Sequence, residues 1–514
     1  MQHHDLLTTV TIDGAQLTLD SFIAVARSGA RVTVCPQAIR RMERSRAVVE
    51  DIIRSGRPAY GINTGFGDFS RISISEEDAS LLQNNLILSH CTAMGNPFPQ
   101  EVVRGMLLLR ANALCGGYSG IRPQIVETMA DMLNAGLHPV VPEKGSLGAS
   151  GDLAPLAHMA LVLLGLGEAD YNGQRMPGGE AMKLAGLPTY SLLAKEGLAL
   201  INGTQAMTAV GALALHDAMC AARLADITAS MSLEALRGLT SAFEERLQTV
   251  RPQKGQPTVA RNMRLLCAGS EILENAASLR VQDAYTLRCI PQVHGAVRMA
   301  MRHVIEVVQD ELNAVTDNPL VFEEDGAVLS GGNFHGEPLA LAFDYLGIAA
   351  AELASISERR LERMVNPQLS GGLPAFLVRQ GGLNSGLMIV QYAAASMVSE
   401  NKVYAHPASV DSIPSSANQE DHVSMGTTAA RKCRLIVENT LSVLAMELMV
   451  ACQALDLIDE KPSPVHARLL ALVREKVPHY DKDREIRLDI EHMNELIRRD
   501  DILRIVWEEV PDFD

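Results

Sequence analysis

The sequence has 514 residues, 47% of them hydrophobic and only 4% aromatic, so its core must consist largely of aliphatic side chains. Its 45 basic and 61 acidic residues give a formal net charge of −16. This acidic balance argues against a nucleic-acid or anionic-membrane partner, because binding to phosphates requires a basic face. Its eight cysteines contain no C-x-x-C pair that would indicate a zinc or thioredoxin-like site, so we expect no metal.

The N-terminal part of the chain is predicted to combine short strands with helices. Its first residues lack the basic and apolar regions of a signal peptide, and scattered cysteines are typical of a reducing compartment, so we expect a cytoplasmic protein. β-Branched residues at 10–12 and 32–34 indicate two strands, and residues 19–27 between them have helical spacing. Pro36 favours the first turn of a further helix, which we expect to end near Gly56.

From about Ser75 onward the pattern is mostly helical, with apolar residues at three- and four-residue spacing. Four stretches are long enough to predict a central bundle of long helices. The most apolar of them carries Arg431, Glu438 and Glu447, which indicates a core helix and not a membrane span. The four stretches cover residues 212–237, 296–315, 339–364 and 427–457.

One loop between helical stretches carries the most specific motif, Gly145-Ser-Leu-Gly-Ala-Ser-Gly-Asp-Leu-Ala-Pro-Leu-Ala157. The simple interpretation is a glycine turn before a helix that Ser150 or Asp152 caps. The whole string, however, resembles the signature of the aromatic amino acid ammonia-lyase family. In that family the central tripeptide cyclises into a 4-methylidene-imidazol-5-one (MIO) group.

The residue types Ala149, Ser150 and Gly151 suit this cyclisation. The amide nitrogen of Gly151 must attack the carbonyl carbon of Ala149, and a residue without a Cβ reaches that tight geometry most easily. The hydroxyl of Ser150 leaves as water, so that its Cβ becomes an exocyclic methylidene. No standard side chain is an electrophile, so a lyase that needs one must build or bind it. The resemblance therefore implies an autocatalytically formed MIO and no metal or diffusible cofactor.

Further strings in the family's order extend the resemblance over roughly residues 6–454. It implies a mainly α fold: a long-helix bundle with a smaller N-terminal α+β part that carries the MIO loop, in a homotetramer with shared active sites. We place an N-terminal domain at residues 1–200 and the bundle with a helical tail at 201–514. The strings are Tyr60-Gly-Ile-Asn-Thr-Gly-Phe-Gly67, Ile201-Asn-Gly-Thr-Gln205, Gln282-Asp-Ala-Tyr-Thr-Leu-Arg288, Asn333-Phe-His335, His406-Pro-Ala-Ser-Val-Asp-Ser412 and Asn418-Gln-Glu-Asp-His422.

The family's catalytic roles fall on residues within these strings. By resemblance Tyr60 is the general base that removes the substrate's β-proton, although a core aromatic that anchors the loop is the plain alternative. Tyr285 would orient the substrate or the MIO ring. Arg288 follows three residues later and therefore lies on the same helix face. By resemblance it binds the substrate carboxylate with two hydrogen bonds. The plain alternative is a surface ion pair, which is the usual role of an arginine.

Three further residues are expected to bind the substrate or the ring. By resemblance Asn202 and Gln282 hydrogen-bond the substrate or the ring oxygen, and Phe334 packs beside the ring. Taken alone, an Asn before Gly is more often a turn residue, so the role of Asn202 rests on the family match.

Two positions indicate the substrate. Ser89-His90 stands where the histidine-specific members carry Ser-His, and Glu420 stands where they carry Glu and the tyrosine and phenylalanine lyases usually carry Gln. A carboxylate beside an imidazole accepts its N–H or pairs with imidazolium, whereas against a phenyl ring it would be a buried, unpaired charge.

The expected reaction is therefore the deamination of L-histidine to trans-urocanate and ammonia. A tyrosine lyase, another aromatic lyase or a 2,3-aminomutase of the same family would share the chemistry. A lyase of the fumarase–aspartase type lacks support, because its G-S-S-x-M-P-x-K-x-N loop does not occur here. A non-catalytic scaffold would be expected to lose Ser150 or Tyr60, and both are present.

Overall fold

The computed structural model describes residues 7–65, 67, 72–276 and 278–514. It is 59% helix and 8% strand, which confirms the mainly α prediction. The helices are α1 Leu19–Ala26, α2 Pro36–Ser55, α3 Glu76–His90, α4 Gln100–Cys115, α5 Pro123–Ala135, α6 Leu153–Leu163, α7 Gly178–Leu184, α8 Glu196–Ile201, α9 Gln205–Ala235, α10 Glu245–Thr249, α11 Gly255–Leu266, α12 Glu271–Ala276, α13 Tyr285–Arg288, α14 Ile290–Glu311, α15 Glu337–Val365, α16 Met388–Tyr404, α17 Gly426–Leu455, α18 Pro464–Arg474, α19 Ile486–Ile497 and α20 Asp501–Glu509.

The strands are short and form small separate sheets. β1 and β2 pair in parallel, β3 pairs with β5, β6 lies between β4 and β7, and β8 pairs with β9, all antiparallel except the first pair. The strands are β1 Thr9–Ile12, β2 Arg31–Val34, β3 Met94–Pro97, β4 His138–Pro139, β5 Pro142–Lys144, β6 Glu168–Tyr171, β7 Gln174–Pro177, β8 Leu320–Phe322 and β9 Ala327–Leu329.

The N-terminal elements follow the sequence prediction. The predicted strands are present as β1 and β2, and α1 lies between them in the chain. Thr18 caps α1 by accepting a hydrogen bond from the Ser21 N–H, while the Ser21 hydroxyl accepts from the Thr18 N–H. Pro36 occupies the first turn of α2, and Gly56 ends that helix in the left-handed conformation at φ 66°.

The chain folds into two compact units, and each unit is made of three separate segments of the sequence. Unit 1 comprises residues 1–213, 305–344 and 407–431, and unit 2 comprises 214–304, 345–406 and 432–514. The sequence analysis instead places one boundary between two domains near residue 200, and that boundary remains a prediction.

The four long helical stretches are confirmed as α9, α14, α15 and α17, which have 31, 22, 29 and 30 residues. By length and composition alone, α15 and α17 are apolar enough to cross a membrane. Within the structure, however, 67% and 78% of their most apolar windows are buried. This burial is typical of core helices.

In unit 2 a buried carboxylate joins three of these helices. Glu447 of α17 pairs with Arg360 of α15, and both side chains are fully buried. Glu447 also accepts hydrogen bonds from Thr228 and Ser232 of α9 and from Ser357 of α15. Because every donor is buried with its acceptor, this network specifies how the helices of unit 2 pack.

In unit 1 the helix α4 forms the centre of the core, with residues 102–115 all buried. Arg110 of α4 is fully buried and donates to the backbone oxygens of Ala199 and Asn202. α4 therefore holds the segment that connects α8 to α9, and Asn202 lies within that segment.

Candidate active site

The loop of residues 145–152 runs from β5 into α6 and folds back on itself. Gly148, Ser150 and Gly151 have φ of 79°, 50° and 75°, in the left-handed region. Gly148 and Gly151 form an isolated antiparallel bridge, so the loop is a tight turn with Ser150 at its tip. A non-glycine residue rarely adopts a positive φ, so surrounding contacts must hold Ser150 there.

Gly203 provides one of these contacts. A Cβ built on Gly151 would lie 2.2 Å from the Gly203 carbonyl oxygen, so only glycine fits at position 151. The same oxygen accepts a hydrogen bond from the Asp152 N–H at 2.7 Å. The turn is therefore fixed against the 202–205 segment, which brings Ser150 and Asn202 to the same region.

Asp152 anchors the other side of the turn. Its carboxylate accepts hydrogen bonds from Ser146 Oγ at 2.7 Å, from the Met207 N–H at 2.8 Å and from Thr427 Oγ1. Burial raises the pKa of Asp152, and these donors partly oppose that rise. Asp152 precedes α6 but makes no side-chain capping bond, so its role is to bind the loop to α9 and α17.

Unit 1 contains a cavity of about 720 Å³ beside this turn. Five of the predicted site residues line it, and they come from the glycine loop, the end of α3, the turn itself, the end of α8 and the 412–425 segment. The five residues are Tyr60, His90, Ser150, Asn202 and Glu420. Residues separated by up to 360 positions in the chain therefore meet at one site.

Glu420 lies against the tip of the turn. Its Oε1 accepts a hydrogen bond from Ser150 Oγ at 3.2 Å, and its Oε2 accepts from Ser415 Oγ at 3.0 Å. Two backbone hydrogen bonds between Ser415 and Glu420 close the intervening turn. The carboxylate is thus held in place beside Ser150.

His90 ends α3 with its ring on the same cavity. Ser89 Oγ is 3.0 Å from His90 Nδ1. Burial lowers the pKa of His90, while the Leu86 carbonyl and the charge of Glu420 oppose that shift. A neutral imidazole and a carboxylate therefore face the same space.

Tyr60 begins the glycine loop, and its hydroxyl accepts a hydrogen bond from the Gly67 N–H at 3.3 Å. Phe66, in the same predicted string, lies outside the described residues. The loop also approaches the 412–425 segment, because a Cβ on Gly67 would lie 2.7 Å from Ser416 Oγ.

The remaining predicted residues are not gathered in this cavity. Phe334 belongs to unit 1, but it is not among the described residues that line the cavity. Gln282, Tyr285 and Arg288 belong to unit 2 and form a cluster of their own. Arg288 donates to Gln282 Oε1 at 2.6 Å, and its guanidinium lies 4.6 Å from the centre of the Tyr285 ring.

Lys195, Asp317 and Asn318 were not predicted as functional residues. Asn318 lines the cavity. Lys195 pairs with Asp317, whose Oδ1 lies 3.5 Å from Asn202 Nδ2. Lys195 and Asp317 are 122 positions apart, so no local pattern in the sequence connects them. In the described part of the chain, no three His, Cys, Asp or Glu residues are grouped as metal ligands would be.

Comparisons with known proteins identify the family of the chain. Residues 17–475 match the aromatic amino acid lyase family. A histidine ammonia-lyase of Alkaliphilus metalliredigens is 57% identical over 489 residues, which are 95% of this chain and 96% of the relative. The crystal structure of histidine ammonia-lyase from Trypanosoma cruzi superposes with a TM-score of 0.91 at 44% identity, covering 98% and 96% of the two chains. A tyrosine aminomutase from Streptomyces globisporus has a TM-score of 0.92 at 37% identity, covering 98% and 99%.

Proposed function

Because the chain belongs to the aromatic amino acid lyase family, we propose that it deaminates L-histidine to trans-urocanate and ammonia. The chain is an ammonia-lyase, and so a carbon–nitrogen lyase. The observation that carries the substrate assignment is the placement of His90 and Glu420 beside Ser150 in one cavity.

Histidine suits this pair of side chains. Glu420 accepts an imidazole N–H or pairs with imidazolium, and the neutral ring of His90 offers a further hydrogen-bonding nitrogen. A phenyl side chain has no N–H or O–H to offer, so the partly buried Glu420 charge would gain no partner from such a substrate.

The electrophile in this proposal is MIO, formed from Ala149, Ser150 and Gly151. The loop fits that group, because position 151 admits no Cβ and residues 150 and 151 already turn tightly at positive φ. Once formed, MIO supplies the electrophilic centre that no standard side chain provides. Asp152 and Gly203 hold the loop in the shape that cyclisation needs.

Tyr60 is proposed as the base that takes the substrate's β-proton. It lines the cavity together with Ser150, and the Gly67 N–H donates to its hydroxyl oxygen. A phenol oxygen in this position can take a proton from a substrate bound beside Ser150.

Gln282, Tyr285 and Arg288 complete the proposed site from another copy of the chain in a homotetramer. Tyr285 is 71% exposed and Gln282 is exposed, so this cluster is accessible to a neighbouring subunit. In this arrangement Arg288 binds the substrate carboxylate, Tyr285 and Gln282 orient the substrate, and Phe334 packs beside the ring. We further propose that the tetramer works in the cytoplasm.

Subunit sharing predicts complementation between two inactive variants. Ser150→Ala and Arg288→Met chains should each be nearly inactive alone. Chains co-expressed in equal amounts should recover up to about a quarter of the wild-type activity, because random mixing leaves that share of sites with both native residues. A mixture as inactive as its parents, with mixed tetramers confirmed by native mass spectrometry, would show that each site uses one chain only.

A turnover assay tests the substrate. We expect L-histidine to give ammonia and the near-ultraviolet absorbance of urocanate, and L-tyrosine and L-phenylalanine to give at most about 1% of that rate. Formation of coumarate or cinnamate instead would keep the reaction type and contradict the roles of His90 and Glu420.

An aminomutase is the second candidate, favoured by the likeness to a tyrosine aminomutase at a TM-score of 0.92. It would return ammonia to the β-carbon and produce a β-amino acid. Chromatographic analysis of the products from the same assay separates the two reactions.

A further inference from the structure

Asn202 is held in one orientation by groups outside the predicted site. It follows α8, lines the cavity and is only 2% exposed. Its Nδ2 donates to the Asn318 carbonyl oxygen at 2.9 Å and lies 3.5 Å from Asp317 Oδ1. Both neighbours are acceptors, so a flipped carboxamide would place three oxygens together, which fixes the orientation.

The opposite edge of this carboxamide has no partner within the chain. Among the described residues, none hydrogen-bonds Asn202 Oδ1, although that oxygen is buried. A buried acceptor without a donor costs free energy unless a ligand supplies the donor. In a cavity that binds an amino acid, the substrate's ammonium group is such a donor.

A buried ion pair holds Asp317 in turn. Lys195 Nζ lies 2.6 Å from Asp317 Oδ2, and the two side chains are 0% and 1% exposed. Asp317 Oδ1 also accepts from the Asn318 N–H at 2.7 Å, so one carboxylate organises both residues that contact Asn202 Nδ2. Lys195 itself has a positive φ of 74°.

Stability alone is a weak reason for this arrangement. Burying both charges carries a desolvation cost that apolar residues of similar volume would avoid. Backbone strain at a fully buried lysine adds to that cost, and strain of this kind concentrates at functional sites.

We propose that Lys195 and Asp317 are positioning residues that fix Asn202 so that its Oδ1 accepts a hydrogen bond from the substrate's ammonium group. This inference rests on the proposed function, because it requires an amino acid in the cavity. It assigns Asn202 an acceptor's role toward the substrate amine, whereas binding a ring oxygen would require the Nδ2 donor that Asp317 and Asn318 already occupy.

The test replaces the ion pair with an apolar pair, Lys195→Met with Asp317→Leu, which removes both charges of the pair together. Two inhibitors of histidine turnover serve as probes: histamine, which lacks the carboxylate, and 3-(imidazol-4-yl)propionate, which lacks the amine. We expect the inhibition constant of histamine to rise about tenfold and that of the propionate to stay within about twofold. The KM for histidine should rise with histamine's constant.

The matched control is Arg122→Met with Glu196→Gln. It removes a neighbouring ion pair at the start of α8, where the nitrogen–oxygen distance is 2.6 Å and Glu196 is fully buried. A comparable fall in Tm without a change in either inhibition constant is expected. If the double variant does not fold, Lys195→Met with Asp317→Asn keeps the shape at position 317 without an unpaired lysine and should weaken histamine selectively by about threefold.

The outcomes separate the two claims. Wild-type enzyme that does not deaminate histidine would overturn the proposed function and this inference together. Wild-type enzyme that binds both probes, with a variant that weakens both equally or neither, would overturn the positioning role and leave the proposed function intact.

Discussion

Replacing Ser150 with alanine is expected to lower histidine deamination by about a thousandfold or more while the chain stays folded. Without the Ser150 hydroxyl the tripeptide cannot lose its second water, so the methylidene cannot form. In the uncyclised chain the Ser150 hydroxyl makes one hydrogen bond to Glu420, worth about 1 kcal/mol, and cyclisation of the wild type removes that hydroxyl as well. The Tm should therefore change by only a few degrees, measurable by scanning calorimetry.

The matched control for this variant is Ser80→Ala. Ser80 lies in α3 and donates to the Leu192 carbonyl oxygen at 2.6 Å, outside the cavity lining. It removes a similar hydrogen bond, and its turnover should remain within about twofold of the wild type. A Ser150→Ala enzyme with activity near that of the control would rule out a cofactor built from this loop.

Replacing Glu420 with glutamine is expected to lower kcat/KM for histidine by about a hundredfold. Glutamine keeps the shape but removes the negative charge that pairs with imidazole or imidazolium. Because Ser150 Oγ donates to Glu420, the variant must also be checked for loop chemistry. The peptide containing residues 149–151 should have the same mass as in the wild type. The fall in kcat/KM would then come from weaker interaction with the substrate and not from a missing cofactor.

Glu143→Gln is the control for charge removal. Glu143 pairs with Arg431 at 3.1 Å and does not line the cavity, so this variant should keep kcat/KM within about twofold. Equal rates for Glu420→Gln and the wild type would remove the main reason to assign histidine as the substrate.

Much of the fold could be predicted from the spacing of apolar residues and from the prolines and glycines that begin or end helices. The long helices lie within seven residues of the predicted bounds, because long runs of apolar residues at helical spacing have few other stable conformations. Pro36, Gly56 and the β-branched segments likewise defined the N-terminal elements, since they act through local backbone geometry. The division into discontinuous units was beyond such patterns, because it depends on which helices pack together.

The site was predicted through its motifs, and its supporting residues were not. The family's sequence patterns identified five of the residues that line the cavity, but only folding brings residues such as Tyr60 and Glu420 together. The Lys195–Asp317 pair connects two segments that are distant in sequence, and an isolated lysine or aspartate is ordinarily a surface residue. Asp152 resembled a helix cap, whereas its carboxylate binds α9 and α17, which the local sequence could not indicate.

The central claim is that this chain builds its electrophile from its own backbone and uses it on histidine. The most direct test is the mass of the proteolytic peptide that contains residues 149–151, taken from a purified preparation that converts histidine to urocanate. We expect that peptide to be lighter than its sequence by two water molecules. A peptide at the full mass of its sequence, in a preparation that deaminates histidine, would contradict the claim.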